Sequence, residues 1–107
     1  MREAMSEPVP DIVAELRLFP TEANGRLSSI CSGEFRGVLG IGSEHFSARW
    51  IVPVGEELVP GGRAGTFGIR FLFPEAALPH FAVGATFMIW EGKEIGSGRV
   101  LSVGENA

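Results

Sequence analysis

Apolar and polar side chains alternate with period two along several short stretches of this 107-residue chain. In residues 11–19, Ile12, Ala14, Leu16 and Leu18 fall on one side, while Glu15 and Arg17 fall on the other. Ile12, Leu16 and Phe19 also fit helical spacing, but Pro20 stops the segment at a length short for a helix, so a strand is expected. Residues 34–42 and 44–52 form two further β-like runs around Ser43, the second with Phe46, Ala48, Trp50 and Val52 on one face. The clearest alternation is in residues 64–73, where Phe67, Ile69, Phe71 and Phe73 are expected inward, opposite Thr66 and Arg70. Residues 85–90 and 95–103 flank a short polar turn holding Gly92, which is a hairpin signature.

Between these runs the chain is rich in turn formers. The Asn24-Gly25 dipeptide predicts a turn because both residues tolerate positive φ. Residues 20–33 form a long irregular connection of the kind that often carries function. Residues 53–63 and 74–82 are the other long connections. Four glycines between 33 and 42 suggest bulges or tight bends. Six short, twisted, glycine-punctuated strands without a capped helix close most readily into a small antiparallel barrel, which removes exposed edges. The expected fold is an all-β, six-stranded closed antiparallel Greek-key barrel. Phe46, Trp50, Phe67, Phe71 and Phe87 would fill its interior.

Length and composition bound this picture. Residues 10–107 suffice for a single domain, preceded by a polar, proline-ended tail at residues 1–9. A hydrophobic fraction of 45% excludes a disordered chain. The net charge of −4 disfavours phosphate-driven RNA binding and docking on acidic membranes. A single cysteine, no bilayer-length apolar run and no secretory signal place the expectation in the cytoplasm.

Candidate chemistry is sparse. Cys31 with His45 or His80 is the one combination open to a thiol nucleophile and base, and no local signature supports it. The histidines and the cysteine lack metal-ligand spacing. Ser28, Ser29, Cys31 and Ser32 beside Arg26 offer an anion-binding loop, against the plainer reading of a solvated connection. Glu56-Glu57 and Glu91 with Glu94 read as inert turn carboxylates, and Gly61-Gly62-Arg63 reads as a turn because no helix follows. The basic residues are eight arginines and one lysine, Lys93. If Arg17, Arg49, Arg70 and Arg99 all point outward, they form a contact surface. The alternative is a solvated exterior with arginines laid on carboxylates such as Glu15.

The strand at 12–16, the loop Asn24-Gly25-Arg26, the turn Pro60-Gly61, the long strand 64–73 and the closing hairpin 87–100 together suggest a family. They resemble the C-terminal β-barrel domain of bacterial elongation factor Tu, which typically ends F-A-I-R-E-G-G-R-T-V-G-A-G-V-V. The likeness runs over roughly residues 11 to 103. It is most specific in the hairpin, where Gly92, Gly96 and Gly98 match the family's glycines. It implies a six-stranded antiparallel barrel, and it places Gly25 and Arg26 at an early loop that in the family lies near the tRNA T-stem. Several positions depart from the family: Ser28-Ser29 replace T-P, Glu34-Phe35-Arg36-Gly37-Val38 replace Y-R-P-Q-F, Lys93 replaces an arginine, and no phosphate-binding GTPase loop is present.

The functional expectation is a non-catalytic interaction module, a free-standing relative of that barrel. Its partner would be a protein rather than RNA, contacted through Asn24, Gly25, Arg26, Arg36 and Arg99. No cofactor, metal or membrane is expected, and the chain would be a monomer or a weak homo-oligomer using Phe19 or Trp90 as a patch. An RNA-contacting translation protein and a thiol-dependent hydrolase built on Cys31 are the alternatives.

Overall fold

The computed structural model describes residues 9–23, 25–26 and 28–104. The expected tail, apart from Val9, and Asn24 lie outside the described residues. Six strands form: β1 (Ile12–Leu18), β2 (Gly33–Ile41), β3 (Glu44–Val52), β4 (Gly65–Phe71), β5 (Thr86–Trp90) and β6 (Glu94–Val103). A one-turn helix α1 (Pro74–Ala77) runs into a 3-10 turn (Leu78–His80) between β4 and β5. All pairings are antiparallel, and the strands close in the order β1-β4-β3-β2-β5-β6. β2, β3 and β4 form a meander, and β1 returns beside β4, which is the Greek-key arrangement.

The period-two pattern explains the interior. Ile12, Ala14, Leu16 and Leu18 from β1 are buried, with Trp50 and Val52 from β3, Phe67, Ile69 and Phe71 from β4, and Phe87 and Ile89 from β5. Each large side chain of this kind contributes roughly 1.5–3 kcal/mol by leaving water. Phe46 is only half-buried.

Two core positions depart from the alternation. Phe73 is 66% exposed: β4 ends at Phe71, and the chain turns into α1, where Pro74 takes a first-turn position that needs no N–H. Phe81, in the crossover, is fully buried instead. Its ring centroid lies 4.8 Å from Phe71, 5.5 Å from Phe87 and 5.8 Å from Phe46. The crossover thus lays an aromatic plug over one end of the barrel.

The glycines of residues 33–42 do not make bulges. The β2–β3 ladder is continuous across them, and Gly42, at φ +61°, makes the two-residue hairpin turn with Ser43. The register shifts sit instead at Val13/Ala14 against β6 and at Ile89/Trp90 against β6. The closing hairpin depends on Gly98, where a Cβ would stand 2.5 Å from Phe87 Cζ and 2.7 Å from the Glu15 carbonyl oxygen. Gly25 is also a close-approach glycine rather than a positive-φ one, because a Cβ there would strike the Phe19 carbonyl.

Candidate functional site

At the opposite end of the barrel from Phe81, the long connections gather. Ile30 and Leu58, both buried, exchange backbone hydrogen bonds of 2.9 Å and tie the first long loop to the β3–β4 connection. Arg26 lies among them. Its Nε donates to Glu91 Oε1 at 2.9 Å, and its Nη1 donates to the Ser29 carbonyl at 3.2 Å. Its guanidinium sits 5.6 Å from the Phe35 ring centroid, and Phe35 packs on Trp50 at 5.1 Å. The result is a column, Trp50–Phe35–Arg26–Glu91, that rises from the core to the turn of the last hairpin. With a side chain only 20% exposed, Arg26 is engaged within the fold.

Arg36 and Arg99, the other expected arginines, are both exposed. They are not brought together. Arg99 stands on β6 between Glu15 of β1 and Thr86 of β5, with β5 separating it from β2. Arg36 instead stands at one end of a row of arginines. It pairs directly with Arg49 of β3, and Arg49 pairs directly with Arg70 of β4. Inward positions on these strands are Gly37, Trp50, Ile69 and Phe71, so the three arginines share the outer face. Adjacent strands lie about 4.8 Å apart, so the row spans about 10 Å.

The row has few counter-charges. Glu34 serves two arginines, at 3.7 Å from Arg36 Nη2 and 3.6 Å from Arg49 Nε. The Asp11 carboxylate accepts the Phe71 N–H at 2.8 Å through Oδ2. No acidic oxygen among the described residues lies within 4.0 Å of Arg70, and its Nε is buried without a hydrogen-bond partner. Like charges directly opposite each other destabilise a sheet, so folding alone does not account for such a row.

The row crosses an open groove of about 510 Å³ whose walls include Val38, Ser47, Leu72 and Pro74. Leu72 is 63% exposed and its N–H donates to the Ser47 carbonyl, which carries the ladder one step past β4. On the other side of the row, Ile51 is 62% exposed. Apolar side chains therefore stand on both sides of the arginines, with Glu34 beside Ile51 on one side and Ser47 between Val38 and Leu72 on the other, and the Asp11 carboxylate also lines the groove. Arg36 also borders a second depression beside His45 and Trp90, whose rings meet edge to face at 5.1 Å.

The remaining candidates are dispersed. Cys31 is exposed, and its Sγ lies 3.9 Å from Glu57 Oε1. His45 packs on Trp90, and His80 packs on Phe46 at 5.2 Å. Among the described residues, no three of His, Cys, Asp and Glu cluster closely enough to hold a metal ion. No helix among the described residues is long and apolar enough to cross a membrane. Phe19 and Trp90, the expected oligomer patch, are both half-buried.

The sequence groups Arg49 and Arg70 with Arg17 and Arg99 as one outward surface and sets Arg36 with the loop residues, so it does not align the three. The β2–β3 half of the alignment was within reach, because a two-residue turn at Gly42-Ser43 makes Arg36 face Arg49. Comparison with known proteins places the chain in no group: no family model and no curated protein matches it.

Proposed function

We propose that this chain is a non-catalytic binding module that engages a protein partner through the outer face of β2, β3 and β4. The observation that carries this reading is the register Arg36–Arg49–Arg70, three like charges aligned across three strands, with Glu34 shared by Arg36 and Arg49 alone. Arginine is favoured at interfaces because its planar fork makes multidentate contacts while its stem covers apolar surface. The exposed Leu72 and Ile51 beside the row supply that apolar surface. A protein partner is favoured over RNA because the chain as a whole carries a net charge of −4, which opposes a polyanion beyond the groove. A barrel of this class is what the elongation-factor resemblance implies, and we read the chain as a relative of that barrel used for partner contact.

The test is affinity capture from lysate with the native chain and with a triple Arg36→Gln, Arg49→Gln, Arg70→Gln variant, each with and without nuclease. Nuclease-resistant partners held by the native chain and released by the variant are expected. Equal capture by both proteins refutes the assignment, and capture abolished by nuclease transfers it to RNA.

A further inference from the structure

Resting on the binding role proposed above, we propose that the partner presents an acidic amphipathic α-helix, which lies across β2, β3 and β4 with one stripe of carboxylates on the arginine row. Three observations converge on a helix. The first is direction. The row runs perpendicular to the strands, and the barrel is closed, so a segment lying along it finds no free edge with which to pair its backbone. A helix satisfies its own backbone hydrogen bonds and can cross a sheet face at any angle. The second is spacing. Glutamates at i, i+4 and i+7 of a helix lie about 5–6 Å apart and span about 10 Å over two turns, which matches three arginines on adjacent strands. Same-face residues of an extended segment recur every ~6.7 Å and overrun the row.

The third observation is the flanks. Val38, Leu72 and Pro74 lie on one side of the row and Ile51 on the other, so the acidic stripe must stay on the row itself, clear of Glu34 beside Ile51 and of Asp11 in the groove. A helix with apolar residues beside its acidic stripe buries these side chains as the carboxylates reach the guanidinium groups. Arg70, which has no carboxylate within 4.0 Å among the described residues, gains a counter-charge from the helix. Arg36 and Arg49 can release Glu34, whose contacts of 3.7 and 3.6 Å are long for charge-assisted hydrogen bonds.

The experiment uses three fluorescent probes: a capped helical peptide with glutamates at i, i+4 and i+7 and flanking leucines, the same composition broken by a central proline, and a single-stranded RNA of about 15 nucleotides. Anisotropy titrations at low salt read the affinity of the native chain and of Arg49→Glu, Arg70→Glu, Arg49→Gln and Arg99→Glu, with circular dichroism confirming that each variant is folded. The expected result is that the helical peptide binds at least about tenfold more tightly than the broken one. Each substitution in the row should weaken it by about tenfold, with Arg49→Gln intermediate, while Arg99→Glu leaves it unchanged. Equal binding of the helical and broken peptides overturns the helix and leaves the protein-binding role standing. Tighter binding of the RNA through the same arginines overturns the partner class. No binding of the helical peptide, or binding that ignores the row substitutions, removes the acidic helix altogether. If lysate capture also ignores the row, the binding role fails with it.

Discussion

Arg26→Ala is expected to destabilise the fold, although a loop arginine at a candidate contact site would ordinarily be replaced at no cost. Three interactions are lost together. The Arg26–Glu91 pair is short at 2.9 Å, but Glu91 is 42% exposed, so screening holds its worth to about 0.5 kcal/mol. The Nη1 hydrogen bond to the Ser29 carbonyl, from a charged donor in a partly buried site, is worth about 1 kcal/mol. The guanidinium over Phe35 adds about 0.5 kcal/mol. The total is about 2 kcal/mol, which for a domain of this size lowers Tm by about 8–12 °C. Urea unfolding followed by tryptophan fluorescence should give the same loss with an unchanged slope. A double-mutant cycle with Glu91→Gln isolates the ion pair; its coupling of about 0.5 kcal/mol should shrink in molar salt. A melting temperature within about 2 °C of the native value would show that the column from Trp50 to Glu91 holds nothing in place, and the reasoning would fail.

Arg70→Thr is expected to raise stability by about 0.5–1 kcal/mol in differential scanning calorimetry, because it removes a like charge opposite Arg49 and a buried donor without a partner; a loss of that size would show that Arg70 serves packing. Gly98→Ala should cost about 2–3 kcal/mol, since the new methyl meets both the Phe87 ring and the Glu15 carbonyl, and a near-neutral melting temperature would contradict this. Phe81→Ala should cost about 3–5 kcal/mol, while Phe73→Ala should stay within about 0.5 kcal/mol; comparable losses for the two would overturn the placement of the aromatic plug. Cys31→Ser should leave melting and peptide affinity unchanged, which calorimetry and anisotropy check together.

The strands were legible wherever one face meets the core and the other meets water, as in β1 and β4. Phe73 misled because alternation carries no signal for where a strand stops; Pro74 starting a helix decided that. Phe81 was missed because a lone aromatic in a crossover has no period to reveal it. For the site, Arg36 is expected at a partner contact, and the structure places it on the exposed outer face of β2. Its alignment with Arg70 depends on the β3–β4 register, which is reached across a long connection, and no local rule reads that from residues 53–64. Arg26 was legible as notable, but its engagement with Glu91 joins segments far apart in sequence.

The pairing of Ile12 with Val103 has a consequence for how the molecule comes into being. A nascent chain that has delivered β1 through β5 holds two raw edges, on β1 and β5, and neither is satisfied until β6 arrives between them. Closure therefore waits for almost the last described residues to be synthesised, and it joins partners separated by nearly the whole chain, which makes the final step entropically slow. Until then the half-built sheet is a template for a neighbouring copy, so crowded synthesis is the moment at which this protein is most prone to aggregate.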